Sequence, residues 1–406
     1  MGSKMLTDTE GAPPIAEDEI LNSPRLKIPF SLPDIGEEEI QAVTECLRSG
    51  WLTTGSRCAT FEKDFARFVG GDVESVAVSS CTAGLEIALA ALGIEAGDEV
   101  ITTDFTFSAT AMSVIHIGAT PVLADIDPLT LNIDCGKIEG LITSRTKAII
   151  PVHYAGLSCD MDAINDIARR HKLKVIEDAA HALPTTWNGR MIGNATSDAS
   201  VFSFYATKTI TTGEGGMITF RDADVAKRAR TLRLHGIDRD VFMRYQAGRN
   251  SWGYEIVAAG FKSNLTDVAA AIGIVQLKRA WDFHKRRSEL STAYEKAIAD
   301  LPIVLPPRAP QGSLHACHLY AIRLRAEAPM ERDAFIARMA DLGINCSVHF
   351  IPLHLHSYWR EKLNVSEAMF PQSQKAFEKL VTLPMFNSMT DQMQTYVINA
   401  VKQLLS

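Results

Sequence analysis

Short apolar segments alternate with segments of helical periodicity over the first two thirds of the chain. Several apolar segments lack the polar residue at every second position that a half-exposed strand carries. Such continuous apolar character is typical of strands buried on both faces, as in a largely parallel sheet. Residues 85–92 and 161–172 have the pattern of the covering helices. A three-layer α/β domain is therefore predicted, with strands at 76–80, 99–103, 120–126, 147–154, 174–180, 199–205 and 216–220.

The pattern changes after residue 277. A long charged stretch of helical character leads into the proline-rich segment 305–310. Beyond it, the pattern predicts a smaller α+β domain with strands at 318–324 and 344–350 and a helix at 332–343. The chain is thus divided into a tail expected to be disordered and in part a purification tag (1–27), a large domain (28–277) and a small C-terminal domain (278–406).

The composition is that of a globular protein of the cytoplasm. The 406 residues carry a formal charge of −7, and such a mildly acidic chain is a poor candidate for binding nucleic acid. Seven cysteines are scattered without a CxxC pair or the His/Cys spacing of a zinc finger, which favours free thiols in a reducing compartment. The N-terminus lacks the pattern of a signal peptide, and no apolar run is long enough to predict a membrane span.

Ligands of open α/β sheets bind at the carboxyl ends of the strands, so polar residues just after apolar segments are candidates for a site. Thr82, Ala83 and Gly84 follow the predicted strand at 76–80 and open a helix. Free N–H groups and small side chains at a helix N-terminus suit an anion, and Thr82 would add a hydroxyl. A simple helix cap is the structural alternative for this segment.

Two charged residues follow other predicted strands. Asp178 would pair with a buried cation or with a protonated ring nitrogen of a cofactor, unless it only caps a turn. Lys208 would be partly desolvated, which lowers the pKa of an amine and makes it nucleophilic; an exposed surface lysine is the alternative. The glycines after Lys208 allow a tight turn, in which Glu214 is expected to provide a hydrogen bond.

Together, these features match the requirements of pyridoxal 5′-phosphate (PLP). Its phosphate requires an anion site, its pyridine nitrogen a carboxylate and its aldehyde a lysine. Asp178 precedes Lys208 by 30 residues, a separation consistent with adjacent strands. The sequence therefore predicts a PLP site that includes Thr82, Asp178 and Lys208.

Four motifs strengthen this hypothesis. The segments SFYATKTITTGEGG, VIEDAAHA, SSCTAGLEIAL and SGWLTTG resemble those of the DegT/DnrJ/EryC1/StrS sugar aminotransferases, with all motifs in the family's order. The resemblance extends from about residue 28 to the C-terminus. It implies a fold-type I PLP-dependent aminotransferase, with a mostly parallel sheet between helices in the large domain and a smaller C-terminal α+β domain.

The resemblance implies roles for residues around the cofactor. Lys208 would bond the aldehyde carbon as a Schiff base, and Asp178 would keep the pyridine nitrogen protonated. His181 would lie near the phenolic oxygen. Phe107 would stack on the pyridine ring, although plain core packing is the alternative for this side chain. The phosphate would be bound by Thr82, Ala83 and Ser203.

The resemblance also implies a homodimer in which a loop of one subunit completes the partner's active site. That loop corresponds to residues 260–277, where Lys262 and Asn264 replace the asparagine and arginine that many relatives carry. Asn264 is predicted to contact the phosphate bound by the partner subunit, with Lys262 as a second candidate.

The motifs most resemble the family branch that makes UDP-4-amino-4-deoxy-L-arabinose, a modifier of lipid A. The implied reaction transfers the amino group of L-glutamate to a keto nucleotide sugar, with a 4-keto sugar on UDP or dTDP as the expected substrate. Four residues match positions near the sugar, although each could instead be structural: Trp51, Thr53, His153 and His349.

The same residues disfavour three alternative functions. Relatives that remove a sugar hydroxyl carry histidine at the Schiff-base position, so Lys208 favours amino transfer. A non-catalytic PLP-binding sensor or scaffold is disfavoured by the intact set of Lys208, Asp178 and Ser203. An NAD-dependent sugar enzyme would require a GxGxxG fingerprint between a strand and a helix, which the glycine cluster after Lys208 does not provide.

Overall fold

The computed structural model describes residues 26–194, 196–238 and 253–406, so most of the predicted tail 1–27 lies outside the described residues. The large-domain elements, in chain order, are α1 (Glu37–Ser49), α2 (Ser56–Val69), β1 (Glu74–Val78), α3 (Cys81–Ala91), β2 (Glu99–Thr103), α4 (Ala109–His116), β3 (Thr120–Ala124), α5 (Cys135–Ile138), β4 (Thr146–Ile150), α6 (Met161–His171), β5 (Lys174–Asp178), β6 (Thr186–Trp187), β7 (Arg190–Met191), β8 (Ala199–Ser203), β9 (Gly216–Phe220), α7 (Ala223–Leu232) and α8 (Asp267–Lys278).

Seven of these strands form one sheet in the order β1-β9-β8-β5-β4-β2-β3. The neighbours from β8 to β3 run parallel, and β9 is antiparallel to β1 and β8. The seven predicted strands and the mostly parallel sheet are confirmed. Asp178 ends β5 and Ser203 ends β8, and because these two strands pair directly, the predicted adjacency of the Asp178 and Lys208 segments is also confirmed.

Both faces of the sheet are buried, and alternate residues of a strand contact opposite helix layers. Val76 and Val78 of β1 pack in a cluster with α3 and α7, whereas Ala77 packs in another cluster with α2 and α8. In β4, Ile150 packs in the first of these clusters and Ile149 in the second. Each side chain therefore contacts a helix layer whichever way it points. This explains why several of these strands lack a polar residue at every second position.

The C-terminal part consists of α9 (Ala280–Ile298), β10 (Ile303–Val304), β11 (Tyr320–Leu324), α10 (Arg332–Asp341), α11 (Ser357–Leu363), α12 (Pro371–Lys379), β12 (Leu380–Leu383) and α13 (Asp391–Leu405). Its three strands form an antiparallel sheet in the order β10-β11-β12. Apolar residues of α9, α10 and α13 pack on this sheet, as predicted for an α+β unit. Within the described ranges, no helix is long and apolar enough to cross a membrane.

One predicted strand of the C-terminal part is wrong. Residues 344–350 form only isolated bridges, among them one between Ser347 and Thr382 of β12. Beyond this bridge the segment contacts the large domain, where Tyr154 donates a hydrogen bond to the His349 carbonyl at 2.7 Å. The segment therefore connects the small sheet to the large domain instead of extending the sheet.

The two parts of the chain share residues at their junction. Ile28, near the start of the described chain, packs in the core of the C-terminal part. Helix α9 contributes to both cores, because Phe283 packs with the large-domain cluster and Leu290 with the C-terminal one. The division between residues 277 and 278 stays a prediction, and these contacts show that α9 bridges it.

Candidate active site

A cavity of about 460 Å³ lies at the carboxyl edge of the large sheet. One side, here called the large-domain wall, is lined by residues that follow β1, β2, β4, β5 and β8, as expected for an open α/β sheet. The other side, here called the C-terminal wall, is lined by residues 318–319, 349–350 and Met385. The predicted site residues that line this cavity are Thr82, Phe107, Asp178, His181, Ser203, Lys208 and His349.

Lys208 lies in the turn after β8. Its backbone N–H donates to the Tyr205 carbonyl at 2.9 Å, and its half-buried side chain lines the cavity. Burial lowers the pKa of Lys208 to about 8, although Cys81 and the Asp178 carboxylate act in the opposite direction. An amine with this pKa is partly unprotonated at neutral pH and can act as a nucleophile or a base.

Asp178 lies at the end of β5 and is almost fully buried. The Thr110 hydroxyl donates to Oδ2 at 2.8 Å, and the Ala180 N–H donates to Oδ1 at 3.1 Å. The Thr106 hydroxyl lies 2.8 Å from the Thr110 hydroxyl and extends this chain. Burial raises the pKa of Asp178, while the two hydrogen bonds and Lys208 oppose the rise. A buried carboxylate of this kind is best stabilised by a neighbouring cation.

Two imidazole rings contact each other on the cavity wall near Lys208. The centroids of His181 and His318 are 4.5 Å apart with the rings tilted by 37°, and Phe350 stacks on His181 at 5.8 Å. Nδ1 of each histidine is buried without a hydrogen-bond partner in the described part of the chain. Burial, with Lys208 nearby, keeps the pKa of both histidines well below the ordinary value, so both rings are neutral. Each ring therefore offers an unused polar atom to a ligand.

The N-terminus of α3 borders the cavity through Ser80, Cys81 and Thr82. Ser80 caps the helix, because its hydroxyl accepts the Ala83 N–H at 3.1 Å. Ala83 does not line the cavity and its N–H is already bonded, so the predicted phosphate contact by Ala83 does not fit this position. A Cβ on Gly216 would lie 2.9 Å from the Cys81 nitrogen, so glycine is required where β9 passes the helix end. The first-turn N–H groups of Cys81 and Thr82 are the donors left for an anion.

Phe107 lies on the surface of the cavity rather than in the core. Its side chain is 63% exposed, and its ring centroid is 6.0 Å from that of Phe350. This exposure excludes the core-packing alternative, while stacking on a cofactor stays a prediction. Ser203, at the end of β8, lines the same cavity, and its hydroxyl oxygen accepts the Tyr205 N–H at 3.4 Å. The Ser203 proton is therefore left for a ligand.

The residues predicted to act across a dimer interface do not line the cavity of their own chain. The side-chain oxygen of Asn264 accepts a hydrogen bond from Lys262, and its nitrogen donates to the Thr54 hydroxyl at 2.7 Å. Trp51 donates through Nε1 to the Thr54 carbonyl at 3.2 Å, and Thr53 is exposed. The contacts of Asn264 and Trp51 both lead to Thr54. The contact of Asn264, with Lys262, to the partner's phosphate and the positions of Trp51 and Thr53 near the sugar stay predictions.

His153 is fully buried and does not line the cavity. Its Nε2 lies 2.8 Å from Glu177, and its Nδ1 accepts the Cys159 N–H at 3.1 Å. Both ring nitrogens are used inside the protein, so the predicted contact between His153 and a substrate does not fit this position. Glu177 precedes Asp178 in β5, and successive side chains of a strand point to opposite faces. His153 therefore contacts the carboxylate on the face away from Asp178.

Several cavity residues were not identified from the sequence. Thr110 lies three residues after Phe107 at the start of α4, and that helical spacing was a signal for it. His318 and Phe350 lie at the ends of the strands predicted at 318–324 and 344–350, but in the structure both are in irregular segments outside any strand. Glu214 also lines the cavity, but the bond that holds its turn is made by its carbonyl, which accepts the Thr212 hydroxyl at 2.7 Å.

The cavity fits PLP by the chemistry of its donors. A lysine with a lowered pKa, a buried carboxylate and a helix N-terminus all border one space. The orphaned Nδ1 of His181 would be satisfied by a polar ring substituent. The volume of about 460 Å³ lies within the range of roughly 300–1,000 Å³ that is usual for small-molecule sites.

Comparison with known proteins agrees with this chemistry. Residues 33–402 match the model of the DegT/DnrJ/EryC1/StrS aminotransferase family. The spore coat polysaccharide biosynthesis protein SpsC of Bacillus subtilis is 48% identical over 380 residues, which cover 93% of this chain and 97% of SpsC. The match therefore includes both walls of the cavity.

Solved structures show the same relationship. The PMP form of a candidate sugar aminotransferase from Streptococcus pneumoniae is similar with a TM-score of 0.87 at 33% identity, over 93% of this chain and 98% of that one, and its PLP form has a TM-score of 0.86. Helicobacter pylori PseC, an aminotransferase involved in the biosynthesis of pseudoaminic acid, has a TM-score of 0.87 at 27% identity, over 94% and 99% of the two chains. The chain belongs to the DegT/DnrJ/EryC1/StrS aminotransferase family, whose enzymes depend on PLP.

Proposed function

We propose that this protein transfers the amino group of L-glutamate to a keto nucleotide sugar, giving 2-oxoglutarate and an amino sugar. The observation that carries the proposal is that Asp178 at the end of β5 and Lys208 in the turn after β8 line one cavity, because β5 and β8 pair directly. Burial lowers the pKa of the lysine and raises that of the carboxylate. Such opposite shifts in one cavity are characteristic of groups that take part in acid–base chemistry.

Lys208 is the proposed acid–base group. When bound, PLP supplies an aldehyde that bonds the amino donor and a ring that withdraws electrons from the donor Cα. Lys208 would hold that aldehyde in the resting protein, and its Nζ, once freed, would be the group that removes the proton from Cα of glutamate. A pKa of about 8 makes Nζ a competent base at neutral pH. The water consumed when 2-oxoglutarate leaves is released again when the keto sugar is aminated.

The other large-domain residues bind and orient the cofactor in this proposal. The buried Asp178 carboxylate gains a cation when a protonated ring nitrogen lies beside it, and Thr110 fixes the orientation of that carboxylate. His181 is neutral, so its Nδ1 can bind the phenolic oxygen without bringing a second positive charge next to Lys208. Thr82 and Ser203 contribute hydroxyls to the phosphate, together with the helix N-terminus.

The substrate class rests on the relatives and on the C-terminal wall. SpsC is named for polysaccharide biosynthesis, and PseC for the biosynthesis of pseudoaminic acid. His318 and His349 line the C-terminal wall, and burial keeps both rings neutral, with a pKa of about 4 for His349. Neutral imidazoles suit sugar hydroxyls and carbonyls. A 4-keto sugar on UDP or dTDP is the expected substrate, as the resemblance to the arabinose branch implies.

A substrate panel tests this proposal. The PLP-loaded protein is incubated with L-glutamate and with 4-keto and 3-keto sugars on UDP and on dTDP, and the products are identified by mass spectrometry and NMR. Formation of 2-oxoglutarate together with an equal amount of 4-amino sugar is the expected result. Amination at C3 would show that the expected position of the amino group, C4, is wrong. Absence of amino transfer from glutamate to any sugar, despite bound PLP, would reject the proposed function.

We also propose a homodimer in which Asn264 reaches the partner's cavity. It is supported by the position of Asn264 outside its own cavity and by apolar side chains exposed on and around α1, namely Leu32, Ile35, Ile40, Leu47 and Leu52. Mixing a Lys208→Ala chain with a Lys262→Ala/Asn264→Ala chain tests it. Hybrid dimers regain activity only if the loop acts in the partner's site, because one of their two sites is then intact.

A further inference from the structure

Arg287 on α9 is a buried cation without a carboxylate partner among the described residues. It is 1% exposed, and burial lowers its pKa to about 10. Its Nε donates to the side-chain oxygen of Asn387 at 2.7 Å. Its Nη1 donates to the carbonyls of His318 at 3.0 Å and Met385 at 3.2 Å, with Cys317 at 3.5 Å. The charge is thus balanced only by amide and peptide dipoles.

A buried, unpaired charge is an expensive way to fill a core position. Removing a guanidinium from water is strongly unfavourable, and a methionine of similar length would pack in the same space without that penalty. Hydrogen bonds to peptide carbonyls compensate for only part of the hydration free energy that the guanidinium loses. Retention of such a group therefore calls for a role that packing alone does not provide. The contacts of Arg287 indicate what that role is.

Every hydrogen bond of Arg287 leads to a segment of the cavity wall. His318 and Met385 both line the C-terminal wall. Asn387 continues the path, because its side-chain nitrogen donates to the Thr209 carbonyl at 2.9 Å, one residue after Lys208. One guanidinium is therefore joined to the His318 segment directly and to the Lys208 turn through a single amide. These two segments lie on opposite walls of the cavity.

The rigid, planar fork of arginine suits this arrangement. Its donors point in fixed directions, so carbonyls from separate loops are held at fixed relative positions. The ring of His318 contacts that of His181 with a centroid distance of 4.5 Å, and that distance depends on where the His318 backbone is held. Arg286, the preceding residue, makes a useful contrast, because it binds the Met389 carbonyl and Asp391 away from the cavity.

We propose that Arg287 is a positioning residue that fixes the C-terminal wall relative to the Lys208 turn, and so sets how tightly PLP and the sugar are held. The inference rests on the proposed function of this cavity. Arg287 acts through His318, Met385 and Asn387 and does not itself touch the cavity. Loss of the guanidinium lets the two walls separate, which weakens cofactor binding in a protein that is still folded.

The test compares four variants of the full-length protein: Arg287→Met, Arg287→Lys, Asn387→Ala and the matched control Arg286→Met. The dissociation constant of PLP is measured by absorbance titration at a temperature where circular dichroism shows each variant folded. Arg287→Met is expected to weaken PLP binding about tenfold, because all bonds of the guanidinium are lost. Asn387→Ala is expected to weaken it about threefold, because it removes the bond from Arg287 and the bond to the Thr209 carbonyl but leaves the bonds of Arg287 to the C-terminal wall. Arg287→Lys retains the charge and recovers part of the loss, and Arg286→Met leaves binding unchanged.

The outcomes separate positioning from plain stability. If Arg287→Met lowers the unfolding midpoint but leaves PLP affinity of the folded protein within twofold of wild type, the proposal is overturned. If Arg287→Met does not fold, Asn387→Ala decides, and unchanged PLP affinity in that variant also overturns it. In folded variants, the Arg287→Met/Asn387→Ala pair should be less than additive, because both changes break the same path. Failure of the wild type to aminate a sugar would reject the proposed function but leave these binding results intact.

Discussion

The two walls of the cavity are held in place by different interactions. The large-domain wall is fixed by strand pairing, since Asp178 and Ser203 end neighbouring parallel strands and the Asp178 N–H is bonded to the Pro151 carbonyl at 2.9 Å. The C-terminal wall is not part of that sheet. The His318 N–H donates to the Ala155 carbonyl at 3.0 Å, and the His318 carbonyl accepts a hydrogen bond from Arg287 at 3.0 Å. The His349 ring lies 3.0 Å from the Thr382 hydroxyl. The large-domain wall therefore depends on a strand ladder, and the C-terminal wall on separate backbone and side-chain contacts.

The two walls also differ in the chemistry that their residues are expected to carry out. Groups that must keep fixed positions relative to a reacting atom are best placed on or next to regular elements. Asp178 ends β5, and Lys208 lies in the hydrogen-bonded turn that follows β8. Groups that distinguish substrates are more often found on irregular segments carried by a scaffold, and His318 and His349 lie on such segments. We therefore expect the large-domain wall to determine whether amino transfer occurs, and the C-terminal wall to determine on which sugar.

Lys208→Ala gives the largest expected effect and tests the large-domain wall. Turnover should fall by at least about 10⁴-fold, because the nucleophile and the proton-transferring amine are lost together. The visible absorbance of lysine-bound PLP should disappear as well. Lys296→Ala, which removes an exposed lysine of α9, is the control and should leave both unchanged. Turnover within tenfold of wild type would show that another group moves the proton.

His318→Phe tests the C-terminal wall. The phenyl ring preserves the ring contact with His181 but lacks the unpartnered Nδ1. If that nitrogen binds the sugar, KM for the keto sugar should rise about tenfold, the value of one lost hydrogen bond of about 1.4 kcal/mol, with little change in kcat. His171→Phe, at an exposed position in α6, is the control. An equal loss of turnover with every sugar and donor would instead show that His318 acts in amino transfer, as the residues of the large-domain wall do, and not in sugar recognition.

Thr110→Val tests how far the large-domain wall depends on side chains. Valine keeps the shape of threonine but removes the 2.8 Å hydrogen bond to Asp178. PLP affinity should fall about fivefold, corresponding to about 1 kcal/mol. Thr102→Val removes a comparable buried bond, to the Ile150 carbonyl at 2.8 Å, away from the cavity. This control should lower stability to a similar degree without affecting PLP affinity; equal affinity losses would mean that Thr110 acts through packing alone.

The same contrast explains what the sequence could predict. Continuous apolar runs identify buried parallel strands, and the residues just beyond them are then brought to one edge by the fold itself. Asp178 and Lys208 were predictable for this reason, whereas Ser203 was predicted from the resemblance to the family. His318 was not, because its position follows from a guanidinium that lies in a distant helix and binds carbonyls, which carry no sequence signal. The strand predicted at 344–350 failed for a related reason, since tertiary contacts with the large domain override its local preference.

His153 shows a further limit of prediction from the sequence. Its position just after β4 is where ligand-binding residues occur, yet its ring faces the interior. The alternation of a strand decides which face a side chain reaches, and the chain loses that alternation in the buried segment 151–153, which follows β4. The resemblance to the family therefore placed His153 at the correct edge of the sheet but could not assign its side chain to a face.

The smallest expected effect concerns the joint between the two parts, where His354 meets Asp104 at the end of β2. Both are fully buried, with Nδ1 of His354 2.6 Å from the carboxylate and its N–H bonded to the same group at 2.9 Å. Burial alone would lower the pKa of His354, but the Asp104 carboxylate outweighs burial and raises it above its ordinary value of 6.5. The folded protein therefore binds this proton more tightly than the unfolded chain.

The sign of the pH dependence follows from that preference. Below pH 6.5 the histidine is protonated in both states, and the ion pair contributes fully to stability; as pH rises through the higher pKa of the folded state, the proton is lost and the contribution disappears. Urea unfolding of wild type and His354→Gln between pH 6 and 9 should show a difference in unfolding free energy that shrinks with rising pH, by about 1.4 kcal/mol for each unit by which the pKa is raised. His171→Gln, whose partner Glu139 is exposed, should show almost no such trend. A difference that stays constant over this range would mean that His354 is neutral in the folded protein, and that the joint between the walls is a hydrogen bond rather than an ion pair.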